Sequence, residues 1–207
     1  MAHQNTIETI PFDGGVLCLD FINTIRNRKV TSLHNYLATY QNFIIWCSRI
    51  QQWPEEWLNN LYTYSQEQPA KAKVALHNIL ATRENMYAIF SAIAAEAIPD
   101  AGEIAIFNQH LTTALSQVAL TFENTQYTVL VRMQENDLER PLKTILYSAY
   151  QTLTQTDRKK IKECAECGWL FLDTTKNGKR QWCNPGYCGS TSKARRYYHR
   201  KKGNEQK

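Results

Sequence analysis

No stretch of this sequence approaches the roughly 20 consecutive apolar residues that span a bilayer, and the opening MAHQNTIETIPFDGG has no basic start followed by an apolar run. Neither a membrane helix nor an export signal is expected, which places the protein in the cytoplasm without a membrane partner. The usual catalytic signatures are missing too: no phosphate-cradling G-x-x-x-x-G-K-[ST], no H-E-x-x-H, no G-x-S-x-G and no paired-carboxylate motif. The chain therefore reads as a non-enzyme. Glycine (8) and proline (6) are too few and too scattered in 207 residues to form a low-complexity linker, and no internal repeat is visible. Any modules should be joined by regular structure.

At 43% hydrophobic, the chain can bury one good core and carry a small appendage. Two unequal parts are expected, residues 1–157 and 158–207. Charge divides at the same place. Residues 158–207 hold fourteen Lys/Arg against four acids, a formal +10, so the overall +5 conceals a body of −5. A basic tail on an acidic body points to a polyanion or an anionic surface as partner.

In the body, VLCLDFINTIRNR is an apolar opening segment, strand or helix undecided, that ends in a small basic cluster. A helix is expected over TSLHNYLATYQNFIIWCSRI, where Leu33, Leu37, Tyr40 and Ile44 recur at helical spacing. Another starts at Pro54 with two acids in its first turn. The longest helical run, from Pro69 to Pro99, presents Val74, Leu76, Ile79, Leu80, Met86, Ile89, Phe90 and Ile93 as a core-facing stripe; His77 beside it reads as an ordinary helix residue. Helix continues over 103–117. The period then changes to two, with Val118, Leu120 and Phe122 followed, across the turn ENTQ, by Tyr127, Val129, Val131 and Met133: a β-hairpin. A last body helix starts near Pro141.

Four of the six cysteines form two tight pairs, C-x2-C and C-x4-C, separated by fifteen residues: Cys164, Cys167, Cys183 and Cys188. Cys18 and Cys47 sit in apolar surroundings and read as small buried hydrophobes. Two disulfides or a thiol redox motif are the competing readings, but a redox C-x-x-C does not need a second pair downstream. The spacing favours four thiolates around one structural Zn²⁺, with Zn–S of about 2.3 Å and no open coordination position. Gly168 and Asn184-Pro185-Gly186 supply turn chemistry. WLFLD and KRQWC are expected as two short strands around an Asn177-Gly178 turn, with Trp169, Phe171 and Trp182 as a miniature core too small to fold without metal. STSKARRYYHRKKGN should be a short basic helix, carrying Lys193, Arg195, Arg196, Arg200, Lys201 and Lys202 with Tyr197 and Tyr198 interleaved. Four thiolates and one Zn²⁺ add −2, which leaves the tail at about +8, enough to bind phosphates. The expected class is α+β: a mostly helical N-terminal domain with a β-hairpin, and a small treble-clef or ribbon-like zinc module ending in a basic helix.

The chain resembles a bacterial family that joins an N-terminal ABATE domain to a C-terminal CGNR zinc finger, described as candidate stress-induced transcription regulators. The finger resemblance rests on Cys164, Cys167, Leu170 to Asp173, Arg180 to Cys183, Cys188, Gly189, Lys193, Arg195 and Arg196; the N-terminal one rests on Gly14 to Thr24. The namesake Cys-Gly-Asn-Arg appears here as Cys188-Gly189-Ser190-Thr191, and the family's double Arg before Trp as Arg180-Gln181. Zinc ligation does not depend on the missing Asn-Arg; a DNA contact made by that Arg would be lost. The resemblance implies a DNA-binding regulator whose N-terminal domain senses a small-molecule effector, with Asp20, Asn23 and Arg26 as candidate ligand-binding residues and a homodimer as a candidate assembly. The alternative is a non-enzymatic interaction protein whose zinc module binds RNA or an acidic protein surface.

Overall fold

The computed structural model describes residues 5–31, 33–123, 125–131 and 136–204. Seven α-helices and two small antiparallel sheets follow in order among them: α1 (Leu17–Ile22), α2 (Tyr40–Ile50), α3 (Glu55–Glu67), α4 (Pro69–Ala94), α5 (Ala101–Leu115), β1 (Val118–Glu123), β2 (Gln126–Val131), α6 (Arg140–Gln155), β3 (Ile161–Glu163), β4 (Leu170–Leu172) and α7 (Ser190–Asn204). A 3-10 turn, Arg158–Lys160, precedes β3, and a wide helical turn, Pro185–Gly189, runs straight into α7. No helix among the described residues is long and apolar enough to cross a membrane.

The undecided opening segment is helix, and α1 is the hub. Five of its six residues are buried, and it meets α4, α6 and β4. Its entry is set by Gly14, whose N–H donates to the Asp20 carboxylate at 2.8 Å. A Cβ on Gly14 would lie 2.8 Å from the Asp20 nitrogen and 2.9 Å from its Oδ1, so only glycine fits that close approach. Around α1, the aromatic cluster Phe21, Phe43 and Trp46 fills the centre, with Phe43 and Trp46 stacked at 6.3 Å.

Two helix boundaries differ from the expected ones. The helix expected from Thr31 starts only at Tyr40, where the Thr39 side chain accepts from the Asn42 N–H and caps it. The preceding residues are held instead by an Ile25–Asn35 bridge and by Asn35 bonding both backbone groups of Leu37, which leaves Leu33 exposed. The long helix ends at Ala94, five residues before Pro99, and Glu96 takes a positive φ just beyond it. Its stripe is also narrower than expected. Val74 is exposed, while Ala72, Ala75, Thr82, Arg83 and Asn85 join Ile79, Met86, Ile89 and Phe90 in the interior. The buried Arg83 is satisfied there: it donates to Thr24 Oγ1 (3.0 Å), Asn35 Oδ1 (2.8 Å) and Glu84 Oε1 (2.8 Å), while burial pulls its guanidinium down to about 10. His77 is exposed, as an ordinary helix residue would be.

The β1–β2 hairpin is present, with Phe122 opposite Tyr127 and Leu120 opposite Val129; these four side chains stand exposed on one face. Met133, expected to extend β2, lies outside the described residues.

Candidate metal centre and basic helix

The zinc module is built outward from the body. β3 pairs with β4, so the partner of WLFLD is Ile161–Glu163 and not the expected KRQWC segment. Asp173 explains the difference. Its buried carboxylate accepts from the Arg180 and Thr175 N–H groups and the Thr175 hydroxyl, and it pairs with Lys162, which turns residues 174–182 into a loop. Burial opposes that charge, yet these donors hold the carboxyl down at about 2. Gly178 turns with φ +56 within this loop, at the place where the Asn-Gly pair marks a turn.

Between β3 and β4, Cys164 and Cys167 form a tight knuckle in which the Gly168 N–H donates to the Cys164 carbonyl at 3.0 Å and Gly168 adopts φ +75. The second pair closes on Asn184, whose side chain accepts from the Tyr187 N–H (3.0 Å) and whose carbonyl accepts from the Cys188 N–H (2.9 Å). All four sulfurs are buried and lie within 4.8 Å of one another. Three Sγ–Sγ separations are 3.6, 3.7 and 3.7 Å. A tetrahedron with metal–sulfur bonds of about 2.3 Å has edges of about 3.8 Å, whereas a disulfide requires about 2.05 Å. The residues therefore fit one structural zinc ion, and the disulfide reading falls. Four thiolates buried this close together repel one another and are poorly solvated. Only a central positive charge lets all four ionise together. Cys18 and Cys47 are buried elsewhere, Cys18 pushed up to about 11 by burial, and take no part.

Trp169 and Phe171 do not make a private miniature core. Both are buried in the cluster that also holds Phe21 and Phe90, and the Trp169 indole donates to the Ile25 carbonyl at 2.6 Å. Asn23 acts as a substitute strand: its amide donates to the Leu170 carbonyl (2.8 Å) and accepts from the Leu170 N–H (2.9 Å). Beside it, the Arg28 N–H donates to the Cys167 carbonyl at 2.9 Å, while the Arg28 guanidinium lies 3.8 Å over the Tyr87 ring and pairs with Glu84 at 2.8 Å. On β3, Glu163 accepts from Ser91 at 2.7 Å and faces Lys29 at 3.7 Å. Sequence reasoning missed this clamp of Arg28, Glu84, Tyr87, Ser91 and Glu163. The only available hint was the basic cluster after α1.

Of the three candidate ligand residues, two make structural hydrogen bonds. Asn23 holds β4, and Asp20 holds Gly14, its carboxyl raised by burial to about 7. Arg26 is exposed and opens on a cleft beside the metal site. On α7, Lys193, Arg195, Arg196 and Lys201 are exposed, as are Tyr197 and Tyr198. Arg195 pairs with Glu166 next to Cys167. Lys193 and Arg196 have no acidic partner among the described residues. The side chains of Arg200 and Lys202 lie outside the described ones.

Two family models match. Residues 15–156 match ABATE, described as "Putative stress-induced transcription regulator", and residues 160–201 match zf-CGNR, the CGNR zinc finger. Neither is an enzyme family. No curated protein matches the chain.

Proposed function

The chain belongs to the ABATE family and carries a CGNR zinc finger, and from that premise we propose that it is a transcription regulator that binds DNA through α7. The observation that carries the proposal is the mounting of that helix. Lys193 and Arg196, exposed and without an acidic partner among the described residues, stand on an element that leaves the metal centre without a linker, Cys188 and Gly189 lying in the turn that becomes α7. Zinc held in part by Cys188, together with the Arg195–Glu166 pair, would fix the base of the helix, so little conformational freedom is lost when its charges meet phosphates. Lys176 and Lys179, exposed on the loop after β4, add to the same module's charge. A ligand-sensing role for the helical body completes the reading.

Salt dependence tests it. For duplex DNA, log K should fall linearly with log salt, with a slope of about −0.9 per phosphate contact, and Arg196→Ala should flatten it by about one unit. Since Ser190 and Thr191 stand where the family has Asn-Arg, weakening should be nearly uniform across sequences. Binding to neither duplex DNA nor RNA at low salt would end the regulator reading in favour of protein interaction; preference for RNA over duplex DNA would replace the target.

A further inference from the structure

Between the helical body and the zinc module lies a cleft of about 460 Å³, within the range of roughly 300–1,000 Å³ typical of small-molecule sites. Asp13, Arg26 and Tyr36 border it from the body, and Trp169, Tyr187 and Arg195 from the zinc module. We infer that this cleft binds a small zwitterion with an apolar body, an α-amino acid or a compound of the same charge pattern. Its effect on DNA binding rests on the regulator reading above.

Charge accounting selects that class. Arg195 is already neutralised by Glu166. Asp13 hydrogen-bonds only the neutral Asn184 amide, at 3.2 and 3.4 Å, with Arg180 acting on it through space from outside the cleft lining. The Arg26 guanidinium has no hydrogen-bonding or ionic partner among the described residues. One charge of each sign thus faces the cleft without a directly bonded counter-charge among the described residues. A simple anion would meet Asp13, Glu166 and the formally dianionic zinc tetrathiolate behind Cys167, Cys183 and Cys188, which form part of the same wall. A simple cation would leave Arg26 unanswered. A zwitterion satisfies both, its acid group on Arg26 and its ammonium on the Asp13 side.

Tyr36 adds a hydroxyl beside Arg26. The residue is 3% exposed and lines the cleft, and no described residue hydrogen-bonds its hydroxyl, which is open to the cleft. An accessible hydroxyl at the cleft wall is a donor that a bound acceptor can reach, and Arg26 lies within its electrostatic reach. Pro11 and Trp169 provide apolar wall for the rest of the molecule.

The cleft also touches the start of the basic helix, through Thr191 and Arg195. A ligand held by Arg26 would bridge the body to α7 and bias how the helix is carried. By linkage, DNA would change the ligand's affinity by the same factor that the ligand changes DNA affinity.

Calorimetric titration of the full-length, zinc-loaded protein tests the assignment, with L-phenylalanine and L-leucine as probes. N-acetyl-L-phenylalanine removes the ammonium and L-phenylalaninamide the carboxylate. One or both amino acids should bind at one site per chain, and each blocked form should bind at least about tenfold more weakly, the scale of a lost charged hydrogen bond. Arg26→Ala and Tyr36→Phe should weaken binding similarly, with zinc content and thermal melting unchanged for the exposed Arg26. Failure of both amino acids to bind at millimolar concentration, or binding indifferent to Arg26→Ala or to the blocking groups, overturns the proposal. A parallel DNA titration separates the two readings. DNA binding without amino-acid binding removes the cleft assignment alone, whereas amino-acid binding without DNA binding supports the cleft and removes the regulator.

Discussion

The two ends of the zinc module make opposite use of their surroundings. Residues 161–171 turn inward: Ile161, Leu170 and Phe171 are nearly or fully buried, and β4 is gripped by Asn23 and, through the Leu172 N–H, by the Gly14 carbonyl at 2.9 Å. Residues 190–201 turn outward, with hardly a buried side chain among those described. Cys164 and Cys167 lie in the first, and Cys183 and Cys188 lead into the second. The metal is therefore the main joint between a part that the body's core would hold anyway and a part otherwise tied down by little more than the Asn184–Asp13 bonds and the Arg195–Glu166 pair. Attachment of the finger to its body is thus a matter of packing, and presentation of the basic helix a matter of coordination chemistry.

The comparison breaks most severely if the joint is removed. Cys183→Ser should abolish stoichiometric zinc binding by elemental analysis, since structural zinc in finger peptides contributes about 10–16 kcal/mol of apparent folding energy. Hydrogen exchange should then show residues 183–204 losing protection while β3 and β4 keep most of theirs. Equal loss in both would mean that the inward part also depends on the metal.

A smaller effect is expected inside the core. Trp169→Ala should cost about 3–5 kcal/mol in denaturant unfolding, as large-to-small aromatic substitutions do, because the indole fills core and closes the Ile25 carbonyl. Zinc stoichiometry should survive at low denaturant. If the variant melts no earlier than the parent, the body and the zinc module do not share a core.

The pH response sharpens the same contact. Asp20, which holds Gly14 and through it β4, has its carboxyl raised from 3.8 to about 7 by burial. Between those values the folded state binds a proton that the unfolded state does not, so this group's contribution to stability declines as pH rises through the interval. Asp20→Asn keeps an oxygen acceptor for Gly14 and removes the charge; its melting temperature should fall less than the parent's between about pH 4 and about pH 7. A parallel decline in both proteins would remove Asp20 as the cause. The smallest effect belongs to the outward end: Lys193→Ala or Arg196→Ala should change unfolding free energy by no more than about 0.5 kcal/mol, whatever it does to nucleic-acid affinity.

Much of this molecule was legible along the chain. The four zinc ligands announce themselves because chelation within short C-x2-C and C-x4-C pairs is a local property, and the basic helix does so because its charges are consecutive. Helices α3 to α6 and the hairpin could be read for the same reason, their apolar periods being local. Other features were not. The period over Leu33 and Leu37 suggested a helix that a Thr39 cap and the Asn35 turn forbid, and Val74 matched a helical stripe that the fold turns outward.

What the sequence determined by itself is the metal site and the division of charge, since residue types at fixed separations decide both. Tertiary structure alone decided that Asn23 pairs with Leu170, that Trp169 belongs to the body's core, that Arg28 rivets α4 to the Cys167 knuckle, and that Arg26, Tyr36 and Asp13 face one cleft. Asn23 and Leu170 are separated by 147 residues. No local pattern encodes such a pair: an amide reads the same whether it meets water, a ligand or a distant strand, and only the packing of α1 against β4 selects among them.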